Sequence, residues 1–204
     1  GAGGAGRLGY NSTTGTTEPV AVYTAGVLTN VAIAAISVGG NFSCALSEVG
    51  VTYGWGNQGD GQLGNGTSSD NSLVPVATTI PSIAIGQPVT SLTLGQKSAC
   101  QVVDAVAYCW GDNSSGQLGN GTTTDASVPT AVDTTGILGT APVLKFGVGG
   151  KSAVGITSQA PVAPVTPTGS APSGSTITVT WADPGSAVTG YQVQIATASA
   201  SGPF

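Results

Sequence analysis

Trp55-Gly56-Asn57-Gln58-Gly59-Asp60-Gly61-Gln62-Leu63-Gly64-Asn65-Gly66-Thr67 returns as Trp110-Gly111-Asp112-Asn113-Ser114-Ser115-Gly116-Gln117-Leu118-Gly119-Asn120-Gly121-Thr122, with nine of thirteen positions identical. A remnant of the unit stands at the N-terminus as Gly6-Arg7-Leu8-Gly9, so leucines fall at 8, 63 and 118, a step of 55. Self-similarity at this period signals stacked units or propeller blades, each too small to bury its own faces. A second ruler agrees with the first. Pro19, Pro75 and Pro129 are each followed nineteen residues later by Val38, Leu94 or Val148, and then at once by Gly39, Gly95 or Gly149.

After that glycine the pattern predicts two strands and a tight turn. Ser43-Cys44-Ala45-Leu46 leads through Glu48-Val49-Gly50 into Val51-Thr52-Tyr53-Gly54-Trp55. Ala99-Cys100-Gln101-Val102-Val103 leads through Asp104-Ala105 into Val106-Ala107-Tyr108-Cys109-Trp110. Alternating β-branched and aromatic residues suit a pleated, buried strand. The first turn reads as a three-residue loop ending in glycine and the second as a two-residue loop, for which Asp-Ala is an unfavourable pair. Cys100 and Cys109 then face each other across the hairpin, where a disulfide can form; the alternative is two small buried hydrophobes. Cys44 has Gly54 opposite it and reads as a buried free thiol, with no histidine in the chain to activate it.

The ordered elements Tyr-Cys-Trp-Gly, Gly-Gln-Leu-Gly-Asn-Gly-Thr and Val-Pro resemble the regulator of chromosome condensation (RCC1-like) propeller repeat. The resemblance rests on Trp55, Gly56, Gly61, Gln62, Leu63 and Gly64, and on Trp110, Gly111, Gly116, Gln117, Leu118 and Gly119. It implies blades of four antiparallel strands closed into a ring of about seven. These positions are scaffold, not catalytic. Residues 1–157 hold two full repeats with a partial one at each end, so an all-β, partial seven-bladed propeller is expected, with the remaining blades on a longer parent chain.

From 158 to 173 the sequence is rich in proline and serine and reads as an extended linker. Residues 174–204 contain Thr176-Ile177-Thr178-Val179-Thr180-Trp181 and Tyr191-Gln192-Val193-Gln194-Ile195, both alternating. They resemble the start of a fibronectin type III β-sandwich. Such a sandwich needs ~100 residues, so a truncated domain is expected.

Composition narrows the chemistry. The chain has no histidine, four basic residues against nine acidic, and a net charge of -5. Lack of histidine removes the commonest general base and zinc ligand. Without a basic cluster, nucleic acid is not an expected partner. No apolar run is long enough to insert in a membrane as a helix. Gly59-Asp60-Gly61-Gln62-Leu63-Gly64 fits G-x-G-x-x-G, but turn residues follow it and Ser114 replaces Gly59 in the other copy. Those glycines read as positive-φ turns and close backbone contacts, not as a cofactor cradle. Asp60, Asp70, Asp112 and Asp125 lack calcium-loop spacing; Asp70 and Asp125 align between copies as caps or Asx-turns. No cofactor and no metal is expected. Asn11, Asn41, Asn65, Asn113 and Asn120 open N-x-[ST] triplets, usable only in a glycosylating host. Trp55 and Trp110 are expected to pack rather than to stack on sugars.

The function expected is therefore a non-enzymatic interaction protein, bacterial and exported to the cell surface or beyond, with a protein or glycan partner. Segments 22–35, 77–90 and 131–146 differ most between copies and are the expected recognition loops. One alternative, implied by the resemblance, is guanine-nucleotide exchange on a small GTPase in the cytoplasm. Another is a structural spacer in a large surface adhesin. An unclosed array is expected to unfold with poor cooperativity.

Overall fold

A computed structural model describes residues 1–79, 87, 89–135 and 142–158, together with the backbone of 168–170 and 178–180. The chain divides into two units, Gly1–Ser158 and Gln159–Phe204.

In the first unit, β1 (Ile33–Val38), β2 (Phe42–Ser47), β3 (Thr52–Gly56) and β4 (Ser72–Ala77) form one antiparallel sheet in sequence order. The next copy repeats it as β5 (Val89–Leu94), β6 (Ser98–Val103), β7 (Val106–Gly111) and β8 (Ala126–Ala131). A third sheet contains β9 (Val143–Val148) and β10 (Ala153–Thr157). Each four-stranded sheet is one blade and the β9–β10 pair is the first half of another, and the thirteen-residue motif runs from the end of β3 or β7 into the loop before β4 or β8.

The turns follow their sequences. Gly50 adopts φ 84° at the end of the β2–β3 loop, where a left-handed residue is needed to match the strand twist. The β6–β7 turn is the two-residue form, with Val103 paired to Val106 and both Asp104 (φ 47°) and Ala105 (φ 61°) left-handed. An unfavourable pair thus occupies the conformation that normally selects Asn-Gly. Both repeated tryptophans sit at register shifts, between Gly54 and Gly56 and between Cys109 and Gly111. A bulge there re-aims the indole away from the ladder.

The core lies between blades. Phe42, Cys44, Leu63 and the half-buried Val76 of the first blade meet Leu92, Leu94, Ala99 and Trp110 of the second. Cys100, Val102, Ala107, Cys109, Leu118 and Val132 of the second meet Val143, Phe146 and Val148 of the third. Alternation along each strand sends one set of side chains forward to the next copy and the other set back to the preceding one.

In the second unit, β11 (Thr168–Ser170) pairs antiparallel with β12 (Thr178–Thr180). β11 falls within the stretch 158–173 that reads as an extended linker. A proline-flanked stretch is already extended, and it becomes a strand when a partner lies alongside. The remaining positions behind the fibronectin reading, Thr176, Ile177, Trp181 and Tyr191–Ile195, lie outside the described residues.

Candidate functional site: a locked junction and a variable rim

The repeated residues are spent on joining blades. Trp110 is fully buried, and its Nε1 donates to the Gln62 carbonyl of the preceding copy at 2.8 Å. Trp55 Nε1 donates to the Arg7 carbonyl at 3.0 Å, so Arg7 holds the place of Gln62 in the N-terminal remnant. The glycine two residues later leaves room for the indole. A Cβ on Gly64 would lie 2.8 Å from Trp110 Nε1, and one on Gly9 2.6 Å from Trp55 Nε1. The N-terminal remnant and the first full motif also bond to the outer strand of the next blade, through Asn11 N to Leu73 O (3.0 Å) and Gly66 N to Ser127 O (2.9 Å). Across the first junction Thr52 Oγ1 donates to Gln101 Oε1 at 2.8 Å, and Lys97 pairs with Asp60 at 3.3 Å.

Inside the motif, polar side chains close the loop on itself. Buried Asn113 donates from Nδ2 to Asn120 Oδ1 and to the Thr122 and Thr124 carbonyls, while its Oδ1 accepts from Leu118 N. Gln58 takes the same role in the earlier copy, donating to Asn65 Oδ1 and the Thr67 carbonyl. Burial and full hydrogen bonding remove Asn113 from the accessible glycan acceptors. Asp125 Oδ1 caps Asn113 N at 2.7 Å, and the matching cap on Gln58 N is Asn71 Oδ1, not Asp70. The expected alignment of Asp70 with Asp125 fails because one residue is lost between Thr122 and Pro129 relative to Thr67 and Pro75. Asp112 feels burial, which raises its carboxyl, but hydrogen bonds from Ser114 and the charge of Lys97 bring it below the ordinary carboxylate range.

Cys100 and Cys109 are paired across β6 and β7 with their sulfurs bonded and their Cα atoms 4.1 Å apart. The bridge is wholly buried in the second junction. Cys44 is buried and unbridged, and desolvation drives its thiol well above the usual range.

The opposite ends of the strands are different. There the β2–β3 and β6–β7 turns meet the connections into β1 and β9, as the bonds Glu48 N to Ala32 O (3.0 Å) and Val143 N to Ala105 O (2.8 Å) record, and a Cβ on Gly50 would lie 2.7 Å from Gln87 O in the connection into β5. The described parts of the variable segments 22–35, 77–90 and 131–146 therefore gather on one rim; residues 80–86, 88 and 136–141 lie outside the described residues. Val49, Val106, Tyr23 and Val27 are exposed along these turns and segments, beside exposed Glu48, Asp104 and Asp133. Tyr108 near this rim has its phenol raised by burial and by the charge of Asp104. The sequence reading named the segments but missed Val49 and Val106; their position in strand-capping turns was a signal for exposure.

Stacked four-stranded sheets locked by a tryptophan from one copy to a carbonyl of the last define a β-propeller blade array. Residues 50–100 and 104–156 each match the Regulator of chromosome condensation (RCC1) repeat, and the chain belongs to that family. Among relatives, E3 ubiquitin-protein ligase HERC2 of Homo sapiens is 32% identical over 128 residues, 62% of this chain and 2% of that protein. Ultraviolet-B receptor UVR8 of Arabidopsis thaliana is 32% identical over 107 residues, 52% of this chain and 23% of that one. The chain thus spans less than a quarter of either relative. Neither is bacterial, so the bacterial source expected from the sequence has no counterpart in them. Yeast RCC1 (Prp20), solved bound to Kap60, superposes with a TM-score of 0.54 at 22% identity, over 64% of this chain and 31% of that one. A second structure of Prp20p from Saccharomyces cerevisiae, described with its binding to Gsp1p and histones, gives 0.53 at 23%, over 64% and 32%. At that identity the likeness concerns the fold.

Proposed function

We propose that this chain is a non-enzymatic interaction module of an exported protein, and that it holds a protein partner on the variable rim. The observation that carries the reading is the division of labour between copies. Residues repeated from copy to copy are consumed by blade-to-blade contacts, while the segments that differ share one rim with exposed valines and carboxylates. A rigid frame with variable loops is how recognition is commonly built. A protein is favoured over a glycan because Trp55 and Trp110 are buried, which leaves Tyr23 as the one exposed aromatic ring among the described residues of the rim. Export is supported by the buried Cys100–Cys109 bridge, since such bridges persist in oxidising compartments.

Crosslinking and affinity capture with the chain as bait tests the reading. Partner capture is expected to be lost in a Val49→Ser/Val106→Ser variant and kept in Lys97→Ala, which alters the other end. Equal capture by both variants overturns the assignment of the rim. The chain is also expected not to accelerate nucleotide release from a small GTPase; acceleration would restore the exchange-factor reading. Loss of the bridge in chain recovered from its native host would overturn export.

A further inference from the structure

Charge divides between the two ends of the blades. The β2–β3 and β6–β7 turns and the variable segments hold Glu48, Asp104 and Asp133 against one cation, Lys145 on β9, and the stretches 80–86, 88 and 136–141 contain no charged residue. The other end mixes both signs. There Arg7 lies against Gly56 at the end of β3, and Lys97 and Lys151 stand in the β5–β6 and β9–β10 turns. Asp60, Asp70, Asp112 and Asp125 belong to that end too, between β3 and β4 or between β7 and β8. Lys97 with Asp60 is the one ion pair among the described residues, so no side-chain cation there neutralises a rim carboxylate. The charge of Asp104 reaches the Tyr108 phenol, which burial raises first and that carboxylate raises further.

Each rim turn sets a carboxylate beside an exposed valine. Glu48 adjoins Val49, which is 71% exposed, and Asp104 stands two residues from Val106, which is 39% exposed. Both turns belong to interior junctions. A Cβ on Gly50 would lie 2.7 Å from Gln87 O and 3.7 Å from Val89 Cγ2, so the next copy already packs against the first turn. The second turn holds its next copy through the bond from Val143 N to Ala105 O. Neighbouring copies therefore cover the flanks of these turns and leave their tips open. The left-handed backbone at Asp104 normally selects asparagine, which has the same shape without the charge.

We infer that the rim docks a protein segment carrying lysine or arginine next to aliphatic side chains, Glu48 and Asp104 facing the cations and Val49 and Val106 the aliphatic groups. The inference rests on the rim being the docking face, as proposed above, and adds the chemistry of what docks there. Opposite charge at an exposed edge mainly speeds encounter and rejects acidic competitors, whereas apolar contact slows release. An acidic partner would leave like charges facing one another across the contact. A neutral glycan would offer nothing to complement carboxylates that have no cation of their own.

Selection of a randomised peptide library on the whole chain tests this, with association and dissociation of the selected peptides then followed at low and high salt. The selected sequences are expected to be richer in lysine and arginine beside valine, leucine or isoleucine than the library they came from. Asp104→Asn suits the left-handed turn and should slow their association on the order of tenfold at low salt, the difference closing at high salt. Val49→Ser/Val106→Ser should instead hasten dissociation. Asp70→Asn removes one charge from an exposed residue near Ser72, which pairs with Gly56 at the other end, and should change neither rate. Equal effects of Asp104→Asn and Asp70→Asn overturn the inference, since net charge alone would then act. So does a selection that yields no binder. Binders without a basic excess that are still lost in Val49→Ser/Val106→Ser overturn the partner chemistry and leave the rim standing. Binders indifferent to every rim variant overturn both.

Discussion

Alanine at Gly61 and alanine at Gly116 test whether the junctions, rather than the local turns, require the repeated glycines. The two residues occupy the same motif position with nearly the same backbone, φ 80° and 75°. Placing alanine in that left-handed region costs about 1–2 kcal/mol, partly offset by about 0.4–1 kcal/mol from a less flexible unfolded chain. Gly116→Ala should therefore destabilise by about 0.5–1.5 kcal/mol. At Gly61 the new methyl would also meet Ser127 Cα at 2.7 Å and Ala126 O at 3.0 Å. Those are backbone atoms of a paired strand, which cannot swing aside as a side chain would, so overpacking adds about 1–3 kcal/mol. Urea unfolding followed by tryptophan emission reads the difference. With a slope near 2 kcal/mol per molar, the midpoints should stand about 1 M apart. Equal midpoints would refute the reasoning, since the turn alone would then account for both glycines.

Trp110→Phe strands the Gln62 carbonyl without a donor and leaves a void, for a loss of about 2–4 kcal/mol; Trp55→Phe should cost less, because Ser43 Oγ still donates to the Arg7 carbonyl, and urea midpoints compare the two. Replacing Asp104-Ala105 by Asn-Gly relieves two left-handed residues and should stabilise by about 1–2 kcal/mol in the same assay. Cys44 stays protonated when folded and ionises when unfolded. Stability from this group is therefore complete below the ordinary thiol range and falls by up to about 1.4 kcal/mol per pH unit above it. Cys44→Ala should flatten that slope between about pH 9 and 10, and alkylation of native Cys44 should track unfolding.

Much of the array was legible from spacing. A motif that returns at a fixed step, with alternating strands and a proline-to-glycine interval that never changes, specifies repeated blades whatever the intervening loops hold. The β2–β3 and β6–β7 turns were readable from loop length, and the pairing of Cys100 opposite Cys109 from the register that length imposes. The cap was not, because counting from the motif and counting from the proline give different partners. Only the folded chain shows that Asn71, not Asp70, does the work of Asp125.

The linear pattern determined which residues recur and which way each strand faces, because those depend on periods of one chain. It did not determine what each recurring residue is for. That Trp110 answers to a carbonyl 48 residues upstream, or that Gly61 is tight where Gly116 is open, depends on a neighbouring blade arriving at van der Waals distance. Identical local sequence therefore has different surroundings in successive copies. The tertiary structure also decided where the variable segments meet, since antiparallel strands return alternate connections to the same end. Contacts between copies are long-range, and no local rule encodes whether the partner surface is present.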